Sequence, residues 1–214
     1  MHVLITGANR GIGAALAQTY LARGDTVSAV SRDASPELRL DVTSSSDHAA
    51  LARNLRGRAI DMLVCNAGVF LDKGHSIGNG YDEDIWAQSF AVNVTGAFKT
   101  IENLLPNLQA AKTPKIAIIS SLMASQAGAP GGSYVYRASK AAVLNLGRNL
   151  SKDLKPQGIA VGIYHPGWVQ TDMGGAAADI TVDTAATGLV QRFDALSLDT
   201  SGCFQNWDGQ TLPY

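Results

Sequence analysis

The chain has 214 residues, 46% of them apolar and 16% charged, with a formal net charge of −1. That length suits one globular unit burying roughly 70% of its unfolded surface, and the composition excludes a disordered chain. No basic run marks a nucleic-acid or anionic-lipid surface, and no apolar stretch is long enough to span a membrane.

The start, Met1-His2-Val3-Leu4-Ile5-Thr6-Gly7, lacks the basic segment, apolar block and small-residue cleavage site of a secretory signal. Cys65 and Cys203 lie far apart and form no metal spacing. Two free thiols in a reducing cytoplasm are the expectation.

Val3–Thr6 reads as a short buried strand and Ile12–Ala22 as an Ala/Leu-rich helix ending at Gly24. Between them lies a glycine turn holding Gly7, Asn9, Arg10, Gly11, Ile12 and Gly13. A dinucleotide site needs glycines here for the tight turn, for backbone approach to the pyrophosphate and for close packing of helix on sheet. The helix N-terminus then offers free N–H groups to phosphate oxygens. The spacing G-x-x-x-G-x-G departs from the familiar G-x-G-x-x-G, so the motif alone also fits a purely structural turn.

Thr26–Ser31 is the second strand, ending Val30-Ser31-Arg32. An NAD site places a carboxylate at this strand end for the ribose 2′-hydroxyl. Here Ser31 and Arg32, with Arg10 in the glycine turn, suit a 2′-phosphate, which arginine can bind in bidentate fashion. NADP(H) is therefore preferred over NAD(H), with Asp33 close enough to compete if the register differs.

Leu38–Leu40 reads as a short third strand, Ser46–Leu55 as a helix and Ile60–Cys65 as a fourth strand, followed by Asn66-Ala67-Gly68. Residues 71–82 are glycine-rich and polar and read as an exposed loop. Glu83–Gln109 reads as one long helix, ended or broken near Pro106. Asn93 lies inside it, where asparagine is mildly unfavourable and invites a reason. Ile116–Ser120 is the fifth strand, and Ser120 and Ser121 stand where a hydroxyl would project into the crevice at its end.

Tyr134–Leu154 is a long helix closed by Pro156 and Gly158. Tyr136 and Lys140 sit one turn apart on one face of it. A tyrosine is a poor acid near neutrality, and a nearby ammonium favours its ionised form, the tuning a proton donor to a carbonyl oxygen requires. Alone, the pair reads equally as a surface contact. Ile159–Tyr164 is the sixth strand, Asp183–Leu196 a helix and Phe204–Trp207 a last strand. The alternation predicts a single-domain α/β Rossmann fold over residues 1–214, a doubly wound parallel sheet with helices on both faces.

Taken together, the glycine turn, Asp41-Val42, Asn66-Ala67-Gly68, Asn93, Ser121, Tyr136/Lys140 and Pro166-Gly167 resemble the short-chain dehydrogenase/reductase family in order and spacing, over nearly the whole chain. Tyr136-Arg137-Ala138-Ser139-Lys140, His165-Pro166-Gly167-Trp168-Val169 and Thr171-Asp172-Met173-Gly174-Gly175 are more narrowly similar to small carbonyl reductases of the sniffer and C-factor type. The resemblance implies that Tyr136 exchanges the proton of the reacting oxygen. Lys140 lowers the tyrosine pKa and binds the nicotinamide ribose, Ser121 orients the substrate oxygen, and Asn93 holds a water linking Lys140 to solvent. It further implies that Asp41 and Val42 flank the adenine and that Asn66, Ala67 and Gly68 line the cofactor path. Pro166, Gly167 and Val169 would line it after the sixth strand, and Thr171 would bind the carboxamide.

Cys65 departs from the asparagine usual in that family, a change of packing that leaves Asn66 in place. The Ser121-to-Tyr136 spacing is longer than usual, which leaves Ser120 open as the hydroxyl. His165 lacks a second ligand at a useful spacing and reads as structural. Trp168 and Met173 would wall the substrate pocket, and the small residues at 174–182 imply an open, modestly selective site.

The resulting expectation is NADP(H)-dependent reduction of a small aldehyde, ketone or quinone. The alternative is a C-factor-type signalling or sensor protein whose reductase activity is incidental. A nucleotide-sugar epimerase would need a C-terminal substrate domain, and too little chain follows Lys152 for one. The resemblance implies a homodimer through the helices at Glu83–Gln109 and Tyr134–Leu154, while the short C-terminus leaves a monomer open.

Overall fold

A computed structural model describes residues 1–78 and 81–214. Its strands are β1 (His2–Thr6), β2 (Thr26–Val30), β3 (Met62–Cys65), β4 (Lys115–Ile119), β5 (Ala160–His165) and β6 (Phe204–Asn206). All pair in parallel, in the order β2-β1-β3-β4-β5-β6. The helices are α1 (Gly11–Ala22), α2 (Ser45–Asn54), α3 (Glu83–Phe90), α4 (Ala97–Gln109), α5 (Tyr134–Leu154) and α6 (Val182–Ala195). Among the described residues, no helix is long and apolar enough to cross a membrane.

Side chains alternate across the sheet, and helices cover both faces. Leu4, Leu63, Ile116, Ile118 and Val161 pack against Leu51 of α2, Ile101, Leu104 and Leu108 of α4, and Val143 of α5. Val3, Ile5, Met62, Val64, Ala117 and Ile119 pack on the other face against Leu16 and Tyr20 of α1 and Leu189 and Phe193 of α6. Such two-sided burial is why the strands read as continuous apolar runs. Gly147 lets α5 lie close to the sheet, since a Cβ there would stand 2.6 Å from Ile163 and 3.2 Å from Ile118. That closeness sets the height at which the first turns of α5 meet the strand ends.

The structure corrects four sequence expectations. Leu38–Leu40 is not a strand: the segment makes one bridge, Ser31 to Arg39, and Leu40 donates its N–H to Ser31. A three-residue run at the sheet edge has too few partners for a ladder.

Glu83–Gln109 is not one regular helix. A π-helical turn, Ala91–Gly96, separates α3 from α4. Pro106 does not end α4, which runs on to Gln109. Both Pro106 and Glu102, whose carbonyl loses its helical partner, face solvent, so water can satisfy that oxygen.

Residues 71–82 are not uniformly exposed, because Asp72 is fully buried. Part of that expectation, at residues 79 and 80, lies outside the described residues. The fourth correction concerns Ser120 and Ser121, which follow β4 rather than ending it: the strand stops at Ile119, and Ser121 opens a short 3-10 turn.

Candidate active site

The chain order reverses across the sheet between β1 and β3, and the main cleft opens at the carboxyl ends of these strands, where ligands bind in open α/β sheets. Its volume is about 510 Å³.

The glycine turn forms one wall. Gly7 and Gly11 hold positive φ of 65° and 55°, which only glycine adopts without strain. A Cβ on Gly13 would collide with the Gly7 carbonyl and stand 2.5 Å from Asn66 Nδ2. Arg10 precedes α1 in extended conformation and places no side-chain cap on it, so the first-turn N–H groups are left for a ligand. Thr6 Oγ1 accepts the N–H groups of Asn66 and Ala67, each at 3.0 Å, and Asn66 Nδ2 donates to Thr6 O at 2.9 Å. The end of β3 is thereby tied to the turn.

Gly7, Asn9, Arg10, Gly11, Ile12, Gly13, Ser31, Arg32, Asp41, Val42, Asn66, Ala67 and Gly68 all line the cleft. Among them, Arg10 pairs with Asp172 across the mouth, and Asn9 donates to Asp33 at 3.1 Å. Asp33 is absent from the lining, whereas Arg32 belongs to it and makes no ion pair among the described residues. The Thr43 hydroxyl and N–H hold the Asp41 carboxyl below its ordinary range, with Arg32 adding to the effect.

The opposite end is buried. Tyr136 and Lys140 keep 8% and 4% of their surface, and Ser139 none. The Ser121 hydroxyl stands near the Tyr136 side chain and favours its ionised form, while its Oγ accepts the Met123 N–H at 3.1 Å; Ser120 lines the cleft and Ser121 does not. Ser120 is occupied elsewhere, its Oγ donating to the Lys140 carbonyl at 2.9 Å. Lys140 Nζ donates to Ile119 O at 3.0 Å and lies 5.7 Å from the Tyr136 ring centre. A buried ammonium with one acceptor has further N–H groups to give, and Lys140 lines the cleft.

Burial pushes the Lys140 ammonium down to about 8 and the Tyr136 phenol up to about 12, the latter opposed by the Ser121 hydroxyl. In the chain alone, desolvation therefore outweighs any help from the lysine. The expected lowering of the tyrosine requires further positive charge beside its oxygen.

Asn93 owes its place to the π turn, which carries it into the interior. Its Oδ1 accepts the Val69 N–H at 2.8 Å, and its Nδ2 donates to Val69 O at 3.0 Å and to Ser139 Oγ at 2.9 Å. The unfavourable mid-helix asparagine thus has a reason: it clamps the segment after β3.

Past β5, Pro166, Thr171 and Met173 line the cleft, whereas Gly167, Val169 and Trp168 do not. Gly167, at φ 89°, lies against Ile180 and Trp207. Val169 is buried and bridged to Ile180. Lys73 Nζ donates to Met173 O at 2.9 Å, so the loops after β3 and β5 meet across the mouth.

The His165 imidazole is pushed down to about 4, mainly by burial, and its Nδ1 has no partner. Cys65 is buried, its thiol raised to about 12 by desolvation. No cluster of three or more His, Cys, Asp or Glu among the described residues is arranged to hold a metal.

Three contributors escaped the sequence reading. Ser139 Oγ donates to Tyr136 O at 2.8 Å. Asp72 accepts the N–H groups of Val135 at 2.8 Å and Tyr136 at 3.2 Å. Phe70 stacks on the Tyr136 ring at 4.2 Å between centres and 19° between planes. For Ser139 a signal existed, its place between Tyr136 and Lys140; for the other two, nothing local marked them.

A parallel sheet with a glycine turn at its switch point and a buried tyrosine–lysine pair across the cleft is the frame of a dinucleotide-dependent oxidoreductase. Residues 1–180 match the short chain dehydrogenase family, and the chain belongs to it. It is 35% identical over 166 residues to the C-signal protein of Myxococcus xanthus, covering 77% of this chain and 99% of that one. Among solved structures it resembles an NADPH-bound carbonyl reductase from chicken fatty liver, with a TM-score of 0.88, 29% identity and coverage of 100% and 98%. The carbonyl reductase Sniffer of D. melanogaster superposes with a TM-score of 0.87 at 26% identity, covering 100% and 99%.

Proposed function

We propose that the protein reduces a small aldehyde, ketone or quinone to the alcohol with NADPH, Tyr136 giving the proton to the carbonyl oxygen. The observation that carries this reading is the juxtaposition of Tyr136 and Lys140 at the buried end of a cleft whose other end is the glycine turn.

The cleft volume falls in the range of small-molecule sites, and the uncapped start of α1 suits a pyrophosphate. When bound, the nicotinamide supplies the hydride. Gly7, Gly11 and Gly13 admit the pyrophosphate to the backbone, and Asp41 and Val42 flank the adenine. Asn66, Ala67, Gly68, Pro166 and Thr171 line the path toward the nicotinamide.

Ser121 donates to the substrate oxygen and fixes its distance from the tyrosine. Tyr136 transfers its proton to that oxygen as negative charge develops there. Lys140 offers its spare N–H groups to the ribose and its charge to the tyrosinate left behind. Asn93 holds Val69 and Ser139 so that the helix and the segment after β3 move as one body. Arg32, which lines the cleft with no ion pair among the described residues, supports the choice of NADPH, as does the absence of Asp33 from the lining among those residues.

Titration with NADPH and NADH, followed by tryptophan fluorescence, and a panel of carbonyls followed by cofactor oxidation test the reading. Tight NADPH binding with turnover is expected. Tyr136→Phe is expected to remove turnover and leave NADPH binding nearly unchanged. A fully active Tyr136→Phe protein overturns the assignment, and binding without turnover on any carbonyl moves the protein to a signalling role.

A further inference from the structure

We propose that Phe70 and Asp72, in the segment after β3, are positioning residues that set where Tyr136 stands, an inference that rests on the proposed catalytic role of Tyr136. Helix α5 begins two residues before the tyrosine, and the residue ahead of it, Ser133, sits in the left-handed region at φ 48° and makes no side-chain cap. The N–H groups of the first turn of a helix have no partners within it, and buried ones must find them elsewhere.

Asp72, 63 residues upstream of Val135, supplies both. One carboxylate oxygen takes the N–H of Val135 and the other that of Tyr136. Asp72 is fully buried and joins no salt bridge among the described residues. Its counter-charge is the positive end of the 21-residue helix. Charge-assisted hydrogen bonds of this kind are short and directional, and a buried carboxylate held only by them is costly to move.

Two residues back, the Phe70 ring lies flat on the Tyr136 ring. One residue further back, Val69 is gripped through both its N–H and its carbonyl by Asn93, which also binds Ser139. Ser139 in turn donates to the Tyr136 carbonyl. The circuit closes on the tyrosine: its N–H is held by Asp72, its carbonyl by Ser139 and its ring by Phe70. A simple helix cap would serve the fold without touching the ring. Here the strap that caps the helix also carries the ring's stacking partner, so the registry of Tyr136 against Ser121 and Lys140 depends on it.

The test uses the full chain as Asp72→Asn, Asp72→Ala and Phe70→Leu, with Tyr136→Phe as control, NADPH and the best carbonyl of the panel. Misplacing a catalytic group by about 1 Å can cost about 100-fold in rate. The expected loss in kcat is about tenfold for Asp72→Asn and Phe70→Leu and approaches that limit for Asp72→Ala. The dissociation constant for NADPH should stay within about twofold of wild type, since the glycine turn is untouched. The alkaline limb of kcat/KM should move, because a displaced tyrosine no longer shares the environment of Lys140. The asparagine, which keeps one acceptor, should recover part of what alanine loses.

If Asp72→Ala gives no folded protein, Phe70→Leu decides, since its ring is only half-buried. Folded variants that bind NADPH and keep wild-type kcat and pH profile, beside an inactive Tyr136→Phe, overturn the strap and leave the functional reading standing. An active Tyr136→Phe brings down that reading and the strap with it.

Discussion

The two ends of the cleft are held by different forces. At the mouth, Arg10 and Asp172 pair with 70% and 80% of their side-chain surfaces exposed, and Arg32 lines the cleft with no salt bridge among the described residues. At the floor, Tyr136, Lys140, Asn93, Ser121 and Ser139 are buried; hydrogen bonds link Asn93, Ser139 and Tyr136, and the two buried charges, Asp72 and Lys140, are held by backbone groups. Exposed charges are screened and adaptable, whereas buried hydrogen bonds in low dielectric are stiff and costly to leave unmade. The mouth can therefore change its ligand preference at small cost, while the floor tolerates little.

The largest effect is expected at the floor. Lys140→Met should lower kcat by about 100-fold or more, in the range lost when acid/base machinery fails. In the wild type, kcat/KM for reduction should fall as pH rises through about 8, where Lys140 loses its proton, and the variant should lack that limb. Stability should move the opposite way. Lys140 sheds its proton at about 8 in the fold, against an ordinary value of 10.5. Between those values the unfolded chain binds more protons, so stability relative to Lys140→Met rises with pH across the window and is flat below it. Denaturant titrations of both proteins at pH 7 and pH 9.5 would show a constant difference if the ammonium were not desolvated.

A smaller change is expected at the adenine end. Arg32→Ala should weaken NADPH by about tenfold to 100-fold, the 1.5–3 kcal/mol of a hydrogen bond to a charged group, and leave NADH within about threefold. Equal losses for both cofactors would mean that Arg32 does not distinguish the 2′-phosphate. The smallest effect is assigned to the exposed pair: Asp172→Asn should change unfolding free energy by less than about 1 kcal/mol. A larger loss in chemical denaturation would show that the pair anchors the loop after β5 and not merely its surface.

The contrast also separates what the sequence could reveal. The glycine turn and the Tyr136/Lys140 pair are local patterns, a strand followed by glycines and two side chains one helical turn apart, and each was legible where it stood. The sheet was legible because β1, β3, β4 and β5 are buried on both faces. Leu38–Leu40 misled because an apolar triplet needs a neighbour to become a strand, and this one finds only a single bridge. Asp72 was invisible because it caps a helix that begins 62 residues later, through contacts fixed by the tertiary fold. Ser133 immediately precedes that helix, but its left-handed backbone comes with no side-chain cap. Asn93 announced itself as an oddity, while the π turn that explains it obeys no simple periodicity.

That turn gives residue count a meaning of its own. A π-helical segment is a helix carrying one residue more than its regular geometry needs. Deleting one residue within Ala91–Gly96 would restore the ordinary winding and leave α3 and α4 in register, because the wide turn is what absorbs the extra residue. Ile101, Leu104 and Leu108 would keep their places on the sheet, and the loss would fall on the bulge that brings Asn93 to Val69. The fold should therefore absorb the loss of one residue here, while the clamp on Val69 should not survive it. A library of single-residue deletions across Glu83–Gln109, scored for soluble expression and NADPH turnover, should show soluble expression kept and turnover lost within that turn.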